Sequence, residues 1–344
     1  MPVTLHTDQG QEAPGDERPR GASWPRYVVL KGGGALISLA MVVVLGFFAF
    51  RILPGDPAIS MTRGRRISAD QVEVLRKQFG LDQPMYAQFW HYTVDLFHGD
   101  LGTSYTYNKP VIGLIGDRLG PTLLLTGSAA LISIVLGLWL GQRAAWRRGS
   151  TFDKTQTGLA LVFWSVPTFW LGLILLLVFG GWLQWFPTGG MVTPGGNEAG
   201  LAHVLDVLRH LALPVVTMVA VVYAQYLMVM RASLLEEMTA DYLVTARAKG
   251  LREDDVRRKH AVPNALLPTV TLIFLTLGGL IGGAVTVETV FSWPGLGYLT
   301  FQALTAPDLP LLQGTFVVFS TLVIIMNFFA DLLYRVLDPR LKSP

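Results

Sequence analysis

Two long apolar runs flank a polar segment of mixed charge, ADYLVTARAKGLREDDVRRKHAVPN (Ala240–Asn264). Short hairpins are enough to join membrane helices, so helix packing alone does not explain a connection of this length. We therefore expect the segment to form a surface for another protein. This expectation makes the chain one subunit of a larger assembly.

The composition is that of a membrane protein with several spans. Of the 344 residues, 51% are hydrophobic and 15% are charged, and the mean hydropathy is +0.45. A bilayer core about 30 Å thick needs roughly 20 apolar residues per helix. Six runs meet this requirement: Gly32–Leu53, Leu119–Gln142, Thr157–Trp185, Leu211–Met230, Ala265–Val287 and Leu311–Leu333. The sequence thus predicts an all-α integral membrane fold with six transmembrane helices.

The distribution of Lys and Arg predicts the orientation. These residues are frequent before the first run, after the second, after the fourth and after the sixth, and they are scarce after the third and fifth. Both termini are therefore expected to be cytoplasmic, and the net charge of +3 needs no nucleic acid as a partner. The predicted parts are a disordered cytoplasmic tail (1–27), a first transmembrane helix (28–53), an extracytoplasmic helical region (54–118), the main transmembrane domain (119–338) and a cytoplasmic C-terminus (339–344).

The extracytoplasmic region is long enough to contain two short helices. Ser68 and Gln71 fit a capping box, which predicts a helix that ends at Gly80. A second helix is predicted from Pro84 to Phe97, with Asp82 as its cap. Its buried residues are expected to be Tyr86, Phe89, Trp90 and Leu96. Two interpretations fit this region: a lid on the outer ends of the membrane helices, or a platform for an extracytoplasmic partner or substrate.

The chain contains no recognisable source of energy for transport. Its apolar runs have almost no ionisable residue at mid-depth, so a proton or sodium relay is not expected. It lacks a G-x-x-x-x-G-K-[ST] phosphate loop. It also has no cysteine, and none of its six histidines falls at mid-membrane, so we expect no metal site and no cofactor in this chain. Active transport would have to be powered by a cytoplasmic partner.

The segment 240–264 has the pattern of two helices joined by a glycine. Tyr242, Leu243 and Ala246 form a narrow apolar stripe, and Gly250 can adopt the left-handed conformation that ends a helix. Helical spacing resumes after Gly250, and we expect Pro263 to close the segment. A basic loop can simply contact anionic lipid headgroups. However, the three acidic residues 253–255 among the basic ones favour docking to a protein groove.

These residues resemble permease subunits of ATP-binding cassette (ABC) importers, in the dipeptide and oligopeptide branch. Such permeases share a cytoplasmic loop with the pattern E-A-A, three residues, Gly, nine residues, then I-x-L-P. With Gly250 as the motif glycine, 244–246 take the place of E-A-A and 260–263 that of I-x-L-P. Val244 departs from the acidic first position, which leaves its own role open. The stretch TARAKG (245–250) looks like the local form of the branch.

Other stretches resemble the same branch along nearly the whole chain. They are LPGDPA (53–58), FGLDQP (79–84), GDLGTS (99–104), SVPTFWLG (165–172), ETVFSWPGLG (288–297) and LDPR (337–340). Each is weak alone, but their order and spacing together are specific. Only the first 27 residues fall outside the resemblance.

The resemblance implies a fold, partners and a role. It implies the type I ABC importer permease fold in a bacterial inner membrane, and a non-catalytic subunit that pairs with a second homologous permease. Two nucleotide-binding ATPase subunits would bind ATP and Mg, and an extracytoplasmic solute-binding protein would deliver the substrate. The residues expected to dock on the ATPase or to fix the exit into the fifth span are Thr245, Ala246, Ala248, Lys249, Gly250, Val262 and Pro263.

Polar residues within the spans are candidates for a substrate path between the two permeases. They are Ser165, Thr168, Tyr223 and Gln225. Bonds to neighbouring helices explain them equally well. Pro167 is expected to give a hinge or a static kink, and the paired glycines at 278–283 predict close helix packing or a pore-lining helix. Glu288, Asp331 and Arg335 are expected to form structural ion pairs.

The substrate is left open by the residues. The branch includes importers of dipeptides, oligopeptides, glutathione and nickel, and the lack of a mid-membrane histidine favours peptides. Two other classes of membrane protein are not favoured by the sequence. A self-contained channel would need a ring of polar residues, and an intramembrane enzyme would need a nucleophile with a base. The apolar runs offer neither.

Overall fold

The part of the chain that the computed structural model describes is mainly helical. It comprises residues 24–52, 82–196 and 199–337, together with Glu73 and Arg76. Within these residues, bridge pairing of extended chain is limited to Thr103 with Pro110. The helices are α1 (Trp24–Ile52), α2 (Met85–Phe97), α3 (Val111–Trp146), α4 (Thr151–Ser165), α5 (Thr168–Leu175, continued by a π-helix, Leu176–Trp182), α6 (Leu201–Glu237), α7 (Asp241–Ala248), α8 (Glu253–Asp255, continued by a π-helix, Val256–Ala261), α9 (Val262–Val290), α10 (Leu296–Thr305) and α11 (Leu309–Leu337).

Each predicted span corresponds to a helix or helix pair. Among the described residues, α1, α3, α6 and α11 are long and apolar enough to cross a membrane, and the bent pair of α4 and α5 makes a fifth crossing if it is one span. Helix α9 covers the fifth predicted run, and its 29 residues extend about 43 Å. The predicted all-α membrane fold is therefore confirmed.

The third span is not the continuous helix that the run Thr157–Trp185 suggests. Helix α4 ends at Ser165, and α5 resumes at Thr168 after a bend of 100°. Pro167 has no N–H to donate, and it forces the residue before it out of the helical conformation. Val166 is accordingly extended, with φ −80° and ψ 128°. Pro167 thus breaks the helix rather than only kinking it.

Several predicted boundaries shift. Helix α1 begins at Trp24, four residues before the predicted position 28, and α3 begins at Val111, inside the region predicted as 54–118. Pro110 is the extended residue just before α3, and Pro121 is accommodated inside it. The predicted helix from Ser68 to Gly80 lies outside the described residues except for two helical positions, and so do residues 1–23 and 338–344.

The predicted helix after Pro84 is present, but its details differ. Its N-cap is Pro84, with no side-chain cap bond, so Asp82 does not cap it. The carbonyl of Pro84 accepts the backbone N–H groups of Ala87 and Gln88 instead. The predicted burial of Tyr86 and Trp90 is wrong, because both side chains are exposed.

The core is centred on the pair α3 and α6. Two glycines of α3 let the backbones approach closely: a Cβ at Gly137 would lie 2.7 Å from the Tyr223 carbonyl oxygen, and one at Gly141 would lie 2.7 Å from that of Leu227. This is the small-residue packing typical of membrane helices. The close packing predicted in the fifth span is not seen at Gly279, where a Cβ would meet nothing within 4 Å. Helix α1 packs mainly along α11.

Candidate functional site

The segment 240–264, called the 240–264 loop below, folds as a helix, a glycine elbow and a second helix, as the sequence predicts. Helix α7 ends at Ala248, and Gly250 has φ +78°, a conformation that side chains other than glycine rarely adopt. The Gly250 N–H donates to the Arg247 carbonyl at 2.9 Å, which closes the last turn. Arg252 is extended and starts α8. The elbow therefore depends on glycine for its backbone and not for space.

Pro263 does not close the loop, contrary to expectation. It lies in the first turn of α9, and helical structure runs without a gap from Glu253 to Val290. The residues just before it, Val256–Ala261, form a π-helix. A proline removes one backbone donor and crowds the carbonyl four residues earlier, and a π-turn is one way to take up that misfit. The second half of the loop is thus continuous with a long apolar helix.

One face of α7 is buried against the ends of the central helices. Leu243 and Ala246 pack in a cluster with Val256 and with Met230 and Leu234 of α6. Ala246, predicted as a docking residue, therefore points into its own chain. Through this cluster, α7 packs against the C-terminal part of α6 and the start of α9.

The opposite face of α7 is exposed. It contains the predicted docking residues Thr245, Ala248 and Lys249, followed by Gly250. Val244, on the same helix, is 60% exposed. The small residues Thr245, Ala248 and Gly250 give this face little bulk, and the Val244 side chain gives it some hydrophobic surface. Of the other two predicted residues, Pro263 is exposed and Val262 is half-buried.

Charged residues of the loop are paired within it. Arg247 contacts Glu253 at 2.9 Å, Arg257 contacts Asp254 at 3.0 Å, and Lys259 contacts Asp255 at 2.9 Å. The hydrogen bond and charge of Lys259 hold the pKa of Asp255 below its ordinary value. The pair of Arg247 with Glu253 joins α7 to α8, and the other two pairs lie within the second helix of the loop.

Tyr242 ties the start of α7 to its flanking helices. Its hydroxyl donates to the Glu237 carboxylate and accepts the Asn264 side-chain amide at 2.9 Å. Desolvation, with a smaller contribution from Glu237, raises the pKa of this hydroxyl. These bonds fix both ends of the loop to the helices that enter and leave it.

A second link near the same end of the bundle was not anticipated from sequence. The Arg231 guanidinium donates twice to the Asp153 carboxylate, at 2.6 and 2.9 Å, and so joins α6 to the first turn of α4. Asp153 also accepts the backbone N–H of Gly149 at 2.9 Å. The sequence does contain a signal for the start of α4, because Ser150 is followed three residues later by an acid. It does not reveal that this acid pairs with Arg231, which is distant in the sequence.

The four predicted substrate-path residues lie in two places. Ser165 and Thr168 flank the bend between α4 and α5, and the Ser165 hydroxyl donates to the carbonyls of Leu161 and Val162. Tyr223 is buried in the core of α3 and α6, and Gln225 is half-buried on α6. The hydrogen bonds of Ser165 are thus within its own helix. The substrate contacts of all four residues stay predictions.

The expected ion pairs are found for one acid and not for the other. Asp331 contacts Lys31 of α1 at 2.9 Å, as predicted, and Arg335 lies over the Tyr27 ring at 4.3 Å. Glu288 is fully buried and accepts the Thr122 hydroxyl at 2.7 Å and the Tyr298 N–H at 3.0 Å. The side chain therefore caps the start of α10, and its partners in the described part of the chain are hydrogen-bond donors rather than a cation.

The segment ETVFSWPGLG packs closely around this carboxylate. A Cβ at Gly297 would lie 2.5 Å from the Val285 Cα, so only glycine fits there. The Trp293 indole donates to the Pro121 carbonyl at 2.9 Å, and the Leu296 N–H donates to the Thr122 hydroxyl at 2.8 Å. The motif thus joins the N-terminal third of α3 to the end of α9 and the start of α10.

Comparison with known protein families identifies the chain. Residues 133–343 match the family described as binding-protein-dependent transport system inner membrane component, and residues 25–126 match the N-terminal part of that component. The chain belongs to this family. It is an ABC importer permease subunit, a multi-pass protein of the inner membrane.

Individual relatives of the permease agree with this. A Brucella suis biovar 1 protein named as a peptide permease is 41% identical over 317 residues, 91% of this chain and 97% of that protein. The glutathione transport system permease protein GsiC of Escherichia coli K12 is 37% identical over 316 residues, 92% of this chain and 98% of that protein.

The fold of the permease is also found in a solved structure. An inward-facing crystal form of the MetNI methionine ABC transporter matches with a TM-score of 0.53 and 20% identity, over 65% of this chain and 96% of that chain. The shared fold is that of type I ABC importer permeases, which confirms the fold expected from the resemblance. Among the described residues of the permease, no three His, Cys, Asp or Glu side chains form a group that could hold a metal ion.

Proposed function

We propose that this permease is one half of the translocation path of an ATP-driven importer of dipeptides and oligopeptides. Its partners are a second homologous permease, two nucleotide-binding ATPase subunits that bind ATP and Mg, and an extracytoplasmic solute-binding protein. The chain itself is non-catalytic. The names of its 41% and 37% identical relatives support a peptide substrate, since glutathione is itself a small peptide.

The observation that carries the proposal is the two-sided packing of α7. Its inner face is buried on α6 and on the helix that continues into α9, and its outer face presents Thr245, Ala248 and Lys249 beside the Gly250 elbow. A helix held in this way can transmit a push to two membrane helices at once. The outer face enters a groove on the ATPase, and closure of the ATPase pair then moves α6 and α9.

The predicted topology is part of the proposal. The 240–264 loop and both termini lie on the cytoplasmic side, and the region before α3 and the segment around α10 lie outside. The ion pair of Lys31 with Asp331 supports placing the start of α1 at the same level as the end of α11. Both helix ends also carry basic residues, as is usual on the cytoplasmic side.

We propose that a substrate path runs between the two permeases. On this side it would be lined by Ser165, Thr168, Tyr223 and Gln225. Ser165 and Thr168 flank a break in a membrane helix, where irregular backbone normally lines a cavity or packs on protein. Tyr223 is the weakest member because it is buried within its own chain. Gln225 is half-buried on α6 and can face a partner.

Glutathione is the second candidate substrate, favoured by the 37% identical relative. The test is co-purification of the tagged chain, followed by ATPase assays with peptide-loaded, glutathione-loaded, nickel-loaded and empty solute-binding protein. Stimulation by di- or oligopeptides supports the proposal, and stimulation by glutathione alone moves the substrate to the second candidate. Stimulation only by nickel contradicts both. Recovery of the chain without ATPase subunits contradicts the coupling role.

A further inference from the structure

Helix α2 has a packing face, formed by Phe89 and Tyr92. Both rings contact Phe47 of α1, with ring centroids 5.1 and 5.5 Å apart, and Phe89 also stacks on Phe48 at 6.1 Å. This face fixes α2 beside the last turns of α1. It leaves the rest of the helix surface available for other contacts.

A second face of α2 carries a stripe of exposed aromatic side chains. Tyr86, Trp90 and Phe97 are 77%, 67% and 86% exposed. At 100° per residue they fall within about 40° of one another around the helix axis. Three large aromatic residues on one exposed stripe are unusual on a surface that faces only water, and indicate a contact.

A third face of α2 is polar. Gln88, His91 and Asp95 fall together on the helix surface, about 150° from the centre of the aromatic stripe. Around the helix axis, the packing face of Phe89 and Tyr92 lies between the aromatic stripe and the polar row. A helix with this arrangement can rest beside α1 with its aromatic stripe turned towards a membrane and its polar row turned towards water.

The position of α2 along α1 matches the level of a membrane surface. At one end of α1, Tyr27 lies under the cations of Lys31 and Arg335, a combination typical of the membrane–water interface. Twenty residues separate Tyr27 from Phe47, which is about 30 Å along a helix axis. This equals the thickness of the hydrocarbon core, so Phe47 and α2 lie at the opposite interface.

The aromatic stripe also continues a lipid-facing surface. Helix α1 exposes Met41, Leu45 and Phe48 along the half nearest α2. Phe48 bridges this surface to α2 through its stacking on Phe89. In a membrane-spanning helix packed mainly on one neighbour, such residues face lipid.

We propose that α2 is an interfacial anchor whose stripe of Tyr86, Trp90 and Phe97 inserts at the boundary between phospholipid headgroups and acyl chains. The leaflet, which is the outer one, rests on the topology given under Proposed function. The contact with lipid does not depend on that topology: it rests on the length of α1, on its exposed apolar residues and on the aromatic stripe itself. The experiment must distinguish lipid contact from a stripe that is covered by the solute-binding protein or by the second permease.

The chain has no cysteine, so a single-cysteine variant can be labelled with a fluorophore at one chosen position before it is combined with its partner subunits. Trp90→Cys and Phe97→Cys report on the stripe, and Asp95→Cys is the matched control on the polar face of the same helix. The assembled complex is placed in bilayers that contain brominated phosphatidylcholine, and iodide is the aqueous quencher.

We expect severalfold stronger quenching by brominated lipid than by iodide at positions 90 and 97, and the reverse at 95. Stronger iodide quenching on the stripe, or protection from both quenchers, overturns the proposal, because it places the stripe in water or under a protein. Using two stripe positions guards against a defect caused by loss of Trp90 alone. The topology is tested separately with Asp100→Cys, whose thiol should react with a membrane-impermeant maleimide added from outside. Failure of this reaction contradicts the topology, but not the lipid contact.

Discussion

Substitution of Gly250 tests the coupling role of the 240–264 loop without disturbing the rest of the chain. A Cβ at this position would meet no atom of the chain within 4 Å, so a new side chain points into open space. Asp and Asn tolerate the left-handed conformation better than other residues, so the backbone cost is about 1 kcal/mol or less. Gly250→Asp is therefore expected to insert and fold normally.

The expected defect lies in docking to the ATPase. A side chain and a charge at the elbow are expected to disrupt the contact proposed between the exposed face of α7 and a groove on the ATPase. Loss of a central interface contact costs on the order of 2 kcal/mol, which is about a thirtyfold weaker association. Titration of detergent-solubilised permease pairs with ATPase subunits measures this affinity directly, and peptide uptake in proteoliposomes measures its consequence.

Two further variants separate charge from backbone strain. Gly250→Asn adds nearly the same bulk without the charge, and should weaken docking less than Asp. Gly149→Asn is the matched control, because Gly149 has φ +80°, has no atom within 4 Å of a Cβ, and lies in the turn between α3 and α4. It should leave docking unchanged. Wild-type affinity and uptake for Gly250→Asp would refute the reasoning.

Two predictions concern stability. Gly297→Ala places a Cβ 2.5 Å from the Val285 Cα and should destabilise the complex by about 1–3 kcal/mol in a thermal unfolding assay. The control is Gly113→Ala, which should be neutral because a Cβ there meets nothing within 4 Å. Equal melting temperatures for the two variants would contradict the packing around Gly297. Asp153→Asn removes the partner of Arg231, and because that arginine is partly exposed we expect a loss of about 2 kcal/mol. Arg231→Met added to Asp153→Asn should recover part of this loss, and a purely additive double variant would argue against direct pairing.

The helical membrane fold follows from the sequence because apolar run length is a direct physical requirement of the bilayer. The break at Pro167 is harder to predict from sequence, because a proline in a membrane helix is compatible with a straight, a kinked or a broken helix. The close approach of α3 and α6 at Gly137 and Gly141 is not among the features that the sequence predicts. Sequence gave equal reason to expect such packing in the fifth span, and only the structure shows which glycines face a neighbouring backbone.

The candidate site was predictable in outline for a similar reason. A glycine between two helical patterns indicates an elbow, and Gly250 indeed has the left-handed conformation. Of the apolar stripe expected on α7, Leu243 and Ala246 are buried and Tyr242 is exposed. The docking role of Ala246 came from the family resemblance, which does not indicate which face of α7 is buried. The capping role of Glu288 was missed because it depends on Thr122, which is distant in the sequence.

Cross-linking from the outer face of α7 tests the central claim most directly. In the naturally cysteine-free chain, Lys249→Cys on the 240–264 loop and Asp100→Cys in the region proposed to lie outside are each labelled with a maleimide that carries a benzophenone. The assembled complex is then irradiated, so that the benzophenone inserts into a C–H bond of whichever chain lies beside it. We predict a cross-link to an ATPase subunit from position 249 and none from position 100. A chain that assembles with the ATPase yet forms no cross-link from position 249 would contradict docking through this loop.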